Sequence, residues 1–153
     1  MLNTLREANN IAQNDFVQLT SEFKRDVKFF YYFMNNFNGI SIMKELNWSS
    51  PDGIFASDSS LKGMGGVEFM SNQYFYLDIQ KTPFENCKIH VLEILALIAC
   101  CKIWGKAWGG KRIIANCDNM CVVIAINTGR SIDMNIQTSF RELFFWCSMF
   151  SFK

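Results

Sequence analysis

The sequence contains a single histidine, His90, and its six cysteines include no C-x-x-C pair. A structural zinc site usually needs four closely spaced cysteine or histidine ligands, so no site of that class is expected. The cysteines lie mainly within apolar runs. We interpret them as small buried hydrophobic residues of a reducing compartment.

The chain also lacks a strong net charge and a targeting segment. Its 15 basic and 14 acidic residues give a formal net charge of +1, so nucleic-acid binding would require a local patch. The N-terminal stretch MLNTLREANNIAQ has no apolar signal core. The apolar run IHVLEILALIACC is too short for a membrane span and contains Glu93. These absences predict an intracellular protein, cytoplasmic or nuclear and not secreted, with no membrane partner.

What the chain does have is enough apolar sequence for one core: 153 residues, half of them hydrophobic and 15% aromatic. A turn-rich stretch, NWSSPDG at 47–53, predicts a boundary between a helical segment, 1–51, and an α/β domain, 52–153. The helical segment contains an amphipathic helix with an aromatic stripe, followed by Gly39 as a candidate cap.

The pattern after the boundary predicts an α/β domain with a mixed sheet, in the order of three strands, a helix, a strand and two helices. The segments GGVEFM and QYFYLDI are predicted to form a hairpin with a two-residue turn, Ser71–Asn72. Helical spacing begins at Ile89. A later helix ends at Gly129, and the last one begins near Asp133.

Three acidic residues stand where a site could form. Asp58 and Asp118 each follow an apolar strand, and Glu93 lies on the apolar face of a helix. If the two strands are parallel neighbours, the carboxylates meet at one edge of the sheet. Clustered carboxylates raise one another's pKa unless a cation neutralises them, and oxygen ligands suit Mg²⁺ or Mn²⁺. Two such ions, about 3.5–4 Å apart, serve phosphoryl transfer. Taken singly, each acid could instead form a cap or a turn.

Three segments carry a family resemblance: ASDSSLKGMGGVEF, IHVLEILALIACCKIW and RIIANCDNMCVVIAINTGR. In that order they resemble the ribonuclease H domain of retroelement reverse transcriptases, in particular those of DIRS-like retrotransposons. The segment KRDVKFFYYFMNNFNGISIM resembles the connection that precedes this domain. The resemblance implies a ribonuclease H-like fold and a partner in the reverse transcriptase portion of a parent polyprotein. It also implies metal-dependent hydrolysis of the RNA strand of an RNA–DNA hybrid, with Asp58, Glu93 and Asp118 as the metal-binding catalytic residues.

The sequence departs from this family in two respects. The family's fourth carboxylate lies in a helix after a fifth strand, and FSFK resembles the start of that strand, so the last strand and helix are expected to be missing. The sequence also has no Tyr/Phe-x-Asp-Asp polymerase motif. The alternative to a nuclease is therefore a non-catalytic ribonuclease H-like module that binds nucleic acid, or a structural remnant of a decayed element. An integrase or transposase ranks low because Glu93 precedes Asp118.

Further residues near the three acids are candidates for nucleic-acid contact, each with a local alternative. Ser60, Gly63 and Gly65 could face a sugar-phosphate chain or shape the turn. His90 and Asn119 could contact substrate or cap helices. The set Trp104, Trp108, Lys102, Lys106, Lys111 and Arg112 could stack on bases and bind phosphate, but packing of both tryptophans in the core is favoured.

Overall fold

The computed structural model describes residues 18–37, 50–80 and 82–153. The predicted order of helices and strands is confirmed. In chain order the elements are α1 (Ser21–Asn36), β1 (Gly53–Ser59), β2 (Gly63–Glu68), β3 (Gln73–Asp78), α2 (Ile89–Trp104), a short 3-10 helix (Gly105–Trp108), β4 (Ile113–Asn116), α3 (Met120–Thr128) and α4 (Met134–Phe150). No helix among these ranges is both long and apolar enough to cross a membrane. The predicted cap at Gly39 lies outside the described residues.

The chain divides into two compact units after Phe37. In the first unit, α1 begins where the Thr20 hydroxyl accepts a hydrogen bond from the Phe23 N–H at 3.1 Å, as an N-cap residue does. Phe30 and Tyr31 of α1 are exposed. The domain boundary between residues 51 and 52 stays a prediction.

The second unit is built on a four-stranded mixed sheet with the order β3-β2-β1-β4. Strand β2 runs antiparallel to both β1 and β3, while β1 and β4 are parallel. The chain is therefore an α/β protein with one parallel strand pair. The parallel pairing of β1 and β4 confirms the condition on which the convergence of the acids depended.

The hairpin between β2 and β3 differs from the prediction. Glu68 pairs with Gln73, which leaves a four-residue loop rather than a two-residue turn. The Glu68 side chain is buried, and its carboxylate accepts hydrogen bonds from the backbone N–H groups of Met70 and Ser71 and from the Ser71 hydroxyl. These bonds satisfy a buried charge, so they stabilise the wider loop.

The core lies between the sheet and helices α2 and α4. Helix α2 is buried around most of its circumference, as expected of a helix covered on several sides. The Trp108 ring stacks on Phe55, with the ring centroids 5.0 Å apart, and meets Phe152 edge-on. Trp104 is also buried, and its indole N–H donates to Gln73. Both tryptophans are core residues, which confirms the packing interpretation and leaves neither ring exposed for stacking on bases.

The last residues run beside β4. The Lys153 N–H donates to the Lys111 carbonyl at 3.0 Å, and the Lys153 carbonyl accepts from the Ile113 N–H at 2.7 Å. This is the hydrogen-bond pattern of parallel strands. It agrees with the prediction that FSFK begins a strand.

Candidate metal centre

The parallel pair β1–β4 brings two aspartates to one edge of the sheet. Ala56 pairs with Asn116, and Asp58 and Asp118 each lie two residues further along the chain. Asp58 is still on β1, and Asp118 follows the end of β4. Both are exposed, at the edge where the carboxyl ends of parallel strands form sites in α/β proteins.

Glu93 reaches the same edge from helix α2. Its side chain is only 3% exposed, because α2 packs its face against the sheet. Burial is the main cause that raises the pKa of the Glu93 carboxyl, and the negative charges of Asp58 and Asp118 raise the pKa further, while hydrogen bonding from Ser59 opposes the rise. The three acids therefore interact electrostatically, as clustered carboxylates do.

Cys117 belongs to this cluster and was missed by the sequence analysis. The ligand atoms of Glu93, Cys117 and Asp118 all lie within 4.8 Å of one another, and the Cys117 thiol lies 4.0 Å from Oε2 of Glu93. Burial raises the pKa of the Cys117 thiol, and the three negative charges nearby raise it further. Cys117 is partly buried against the core, but it follows the end of β4, and Ala115 before it is exposed. The strand's burial pattern therefore gave no signal for this thiol.

Asp58 lies outside that compact group of ligand atoms. Its Oδ1 accepts the backbone N–H of Ser59 at 2.7 Å. Its charge still contributes to the raised pKa values of Glu93 and Cys117, so it lies near the cluster. Its role as a metal ligand stays a prediction.

The donor set fits a divalent cation. Glu93 is buried in a cluster whose charged members are all acidic, and no cationic side chain in the described ranges forms an ion pair with it. An uncompensated buried carboxylate is costly. A cation beside Glu93 and Asp118 would remove that cost and accept oxygen ligands from both.

The candidates in the β1–β2 turn have local structural roles. The Ser60 hydroxyl accepts the backbone N–H groups of Lys62 and Gly63, so it organises the turn itself. A Cβ at Gly63 would overlap the Tyr76 ring, and one at Gly65 would lie 2.9 Å from the Phe75 carbonyl oxygen. These contacts explain the glycines by close packing of β2 on β3. Their proposed contact with nucleic acid stays a prediction.

Asn119 and His90 also make local contacts. Asn119 caps α3, because its Oδ1 accepts the N–H groups of Cys121 and Val122. His90 Nε2 lies 2.9 Å from Oδ2 of Asp133, whose other oxygen caps α4. The hydrogen bond to His90 is the main cause that lowers the pKa of Asp133. His90 thus joins the start of α2 to the start of α4.

An open groove of about 940 Å³ lies along α3 and the start of α4, and His90 of α2 also lines it. It begins within one helical turn of Glu93, at His90, and passes between α3 and the start of α4. Isoleucines form its apolar lining, and Arg130, Ser131 and Asp133 contribute polar groups. The groove had no sequence signal because its lining joins His90 to residues of the distant stretch 121–136.

Comparisons with known proteins identify no relative: no protein-family model, no curated protein and no solved structure matches the chain. The functional conclusion therefore depends on the site itself.

Proposed function

We propose that this chain is a ribonuclease H-like domain of a retroelement reverse transcriptase polyprotein that hydrolyses the RNA strand of RNA–DNA hybrids with Mg²⁺ or Mn²⁺. The observation that carries the proposal is the meeting of a buried glutamate from α2 with aspartates from the carboxyl ends of two parallel strands.

The topology supports this assignment. Three antiparallel strands come first, a helix crosses over, and the next strand joins β1 in parallel on its free side. This arrangement is what the resemblance in the three quoted segments implies. The acids fall at the end of β1, inside the crossover helix and after β4, in the order Asp58, Glu93 and Asp118.

In this proposal Glu93 and Asp118 would hold the first ion, and Asp58, whose charge contributes to the raised pKa of Glu93, would add the third carboxylate. A second ion is part of the proposal, because two-metal centres are the common solution for phosphodiester cleavage. When bound, divalent ions lower the pKa of coordinated water and neutralise charge on the phosphate. The protein's own contribution is to keep Glu93 buried and its orientation constant, since it lies on a helix packed into the core.

The groove that His90 and α3 line would hold one strand of the duplex. Arg130 provides a positive charge there, and Ser131 a hydroxyl, which are groups that bind backbone phosphates. His90 lies where the groove approaches Glu93. The hybrid would be distinguished from duplex DNA through its 2′-hydroxyl groups and groove shape.

The alternative is a module of the same fold that binds the hybrid without cleaving it. One observation favours it: Asp58 lies outside the compact group of ligand atoms, and one of its oxygens accepts the neighbouring backbone N–H. A centre with only two carboxylates in place would bind metal and substrate but catalyse weakly.

The two functions are separated by incubating the protein with three end-labelled substrates: an RNA–DNA hybrid, single-stranded RNA and duplex DNA. The proposal predicts cleavage of the RNA strand of the hybrid in Mg²⁺ or Mn²⁺, and none in EDTA or with duplex DNA. Binding of the hybrid without cleavage in either metal would favour the alternative. Cleavage of single-stranded RNA in EDTA would indicate a different nuclease and contradict both.

A further inference from the structure

The acidic cluster contains a sulfur ligand that a magnesium centre does not need. Cys117 Sγ lies 4.0 Å from Oε2 of Glu93, and with Asp118 these side chains offer one sulfur and two carboxylate groups within 4.8 Å. Magnesium is a hard cation that takes oxygen ligands, whereas thiolates select softer metals. The composition of the cluster is therefore that of a mixed sulfur and oxygen site.

We propose that Glu93, Cys117 and Asp118 form a three-ligand site for a thiophilic divalent cation of the zinc class, which competes with magnesium for the same carboxylates. Three protein ligands with an open fourth position are the usual coordination of accessible zinc sites. The site would bind Zn²⁺, Co²⁺ or Cd²⁺ more tightly than Mg²⁺.

The separation of the Cys117 sulfur and the Glu93 oxygen is compatible with this assignment, and an Asp118 oxygen lies within 4.8 Å of both. Zinc–sulfur and zinc–oxygen bonds of about 2.3 and 2.1 Å in tetrahedral geometry place the sulfur and oxygen ligands about 3.6 Å apart. The separation of 4.0 Å between Cys117 and Glu93 closes with a small rotation of the thiol. Glu93 is only 3% exposed, so it is the fixed ligand. Cys117 is half-buried and Asp118 exposed, which leaves these two free to adjust and gives the metal access.

Metal binding exchanges the proton of the Cys117 thiol for the metal ion. The Cys117 thiol loses its proton to the solvent as the sulfur–metal bond forms, and both carboxylates coordinate as anions. No oxidant or reductant takes part. The other cysteines are poorer candidates: Cys100 and Cys101 are buried in the core. Within the described residues, no group of candidate ligands includes Cys87, Cys121 or Cys147.

The test is a titration of the metal-free protein, residues 1–153, with Co²⁺, monitored by the near-ultraviolet charge-transfer absorption of a cobalt–thiolate bond. The proposal predicts one such site per chain. The absorption should be retained in a Cys87→Ser, Cys121→Ser double variant and lost in Cys117→Ser, while Glu93→Gln should weaken binding by about 10-fold or more. An unchanged absorption in Cys117→Ser, or its absence in the wild type, would overturn the proposal.

Two further measurements keep the result unambiguous. Circular dichroism establishes that Cys117→Ser is folded. Should it be unfolded, cadmium NMR of the wild type decides instead, because a resonance without sulfur in the coordination sphere would contradict the site. The outcome is also separable from the nuclease proposal. Cleavage in Mg²⁺ without a cobalt–thiolate band rejects only the thiophilic site, and a band without cleavage rejects only the nuclease.

Discussion

The thiol of Cys117 lies 4.0 Å from the carboxylate of Glu93. This contact joins the residue that follows β4 to the buried helix α2. Asp118, the next residue along the chain, offers a carboxylate to the same cluster. Glu93 is buried, and the charged residues that affect its pKa, Asp58 and Asp118, are both acidic. The charge of this cluster has direct consequences for stability.

Replacing Glu93 with Gln should remove a pH-dependent loss of stability in metal-free buffer. The pKa of Glu93 is raised above its ordinary value of 4.5, so the folded state binds this proton more tightly than the unfolded state. The stabilisation that comes from the protonated Glu93 carboxyl is therefore fully present below pH 4.5, and it is lost as the pH rises through the raised pKa. The free energy of unfolding of Glu93→Gln, minus that of the wild type, should therefore increase from pH 4 to pH 7. Denaturant unfolding in EDTA measures this difference.

The control for this comparison is Glu142→Gln, which changes an exposed glutamate of α4 and should show no such trend. Saturating Mg²⁺ should reverse the order, because an ion at 100 times its dissociation constant stabilises the folded wild type by about 2.7 kcal/mol. If the difference in free energy of unfolding between wild type and Glu93→Gln stays constant with pH, the assigned charge environment of Glu93 is contradicted.

Gly65→Ala should destabilise the protein by about 1–3 kcal/mol, because the added Cβ meets a backbone carbonyl that cannot rotate away. That atom is the Phe75 oxygen, 2.9 Å from the Cβ position. Gly109→Ala is the matched control, since its Cβ would make only ordinary contacts, the nearest at 3.4 Å. Thermal unfolding of the two variants measures the difference. Equal stabilities would argue that Gly65 is present for another reason, such as close approach of substrate.

Trp108→Ala should lower the free energy of unfolding by about 3–5 kcal/mol, as expected for loss of a large aromatic core residue. Trp108 stacks on Phe55 and is 3% exposed. Trp108→Phe keeps an aromatic ring, so it should lower the free energy of unfolding by less than Trp108→Ala. A variant with unchanged stability and weakened binding to the hybrid would instead restore the base-stacking interpretation, and urea unfolding with a binding assay distinguishes the two results.

The sequence predicted the elements better than it predicted the site. Apolar periodicity located α2, and strand-end acids located Asp58 and Asp118, because these signals depend on neighbours close in the chain. The contact of Cys117 with Glu93 depends on how far α2 lies along the sheet, which no local pattern encodes. The prediction of the hairpin loop was wrong for a related reason. The buried carboxylate of Glu68 accepts hydrogen bonds from backbone N–H groups of the loop, and the sequence does not distinguish such a glutamate from an exposed one.

Local hydrogen bonding also explains why several residues predicted to contact nucleic acid have structural roles. Ser60 and Asn119 are turn and cap formers by residue type, and each accepts backbone N–H groups here. The Ser60 hydroxyl also donates to the Gly63 carbonyl, so the turn uses its full hydrogen-bonding capacity. The capping bonds of Asn119 use only its Oδ1. Their contact with nucleic acid thus stays a prediction, to be tested by binding rather than by folding.

Cleavage of an RNA–DNA hybrid by Asp118→Asn tests the central proposal most directly. Asn keeps the shape of the side chain but removes the negative charge that would hold the cation. Asp78→Asn is the matched control, because Asp78 is likewise an exposed aspartate at a strand end, on β3 two strands away from β1. We predict that Asp118→Asn reduces the rate of Mg²⁺-dependent cleavage by more than about 100-fold with hybrid binding nearly intact, while Asp78→Asn cleaves like the wild type. Equal cleavage by Asp118→Asn and wild type would contradict the proposed metal centre.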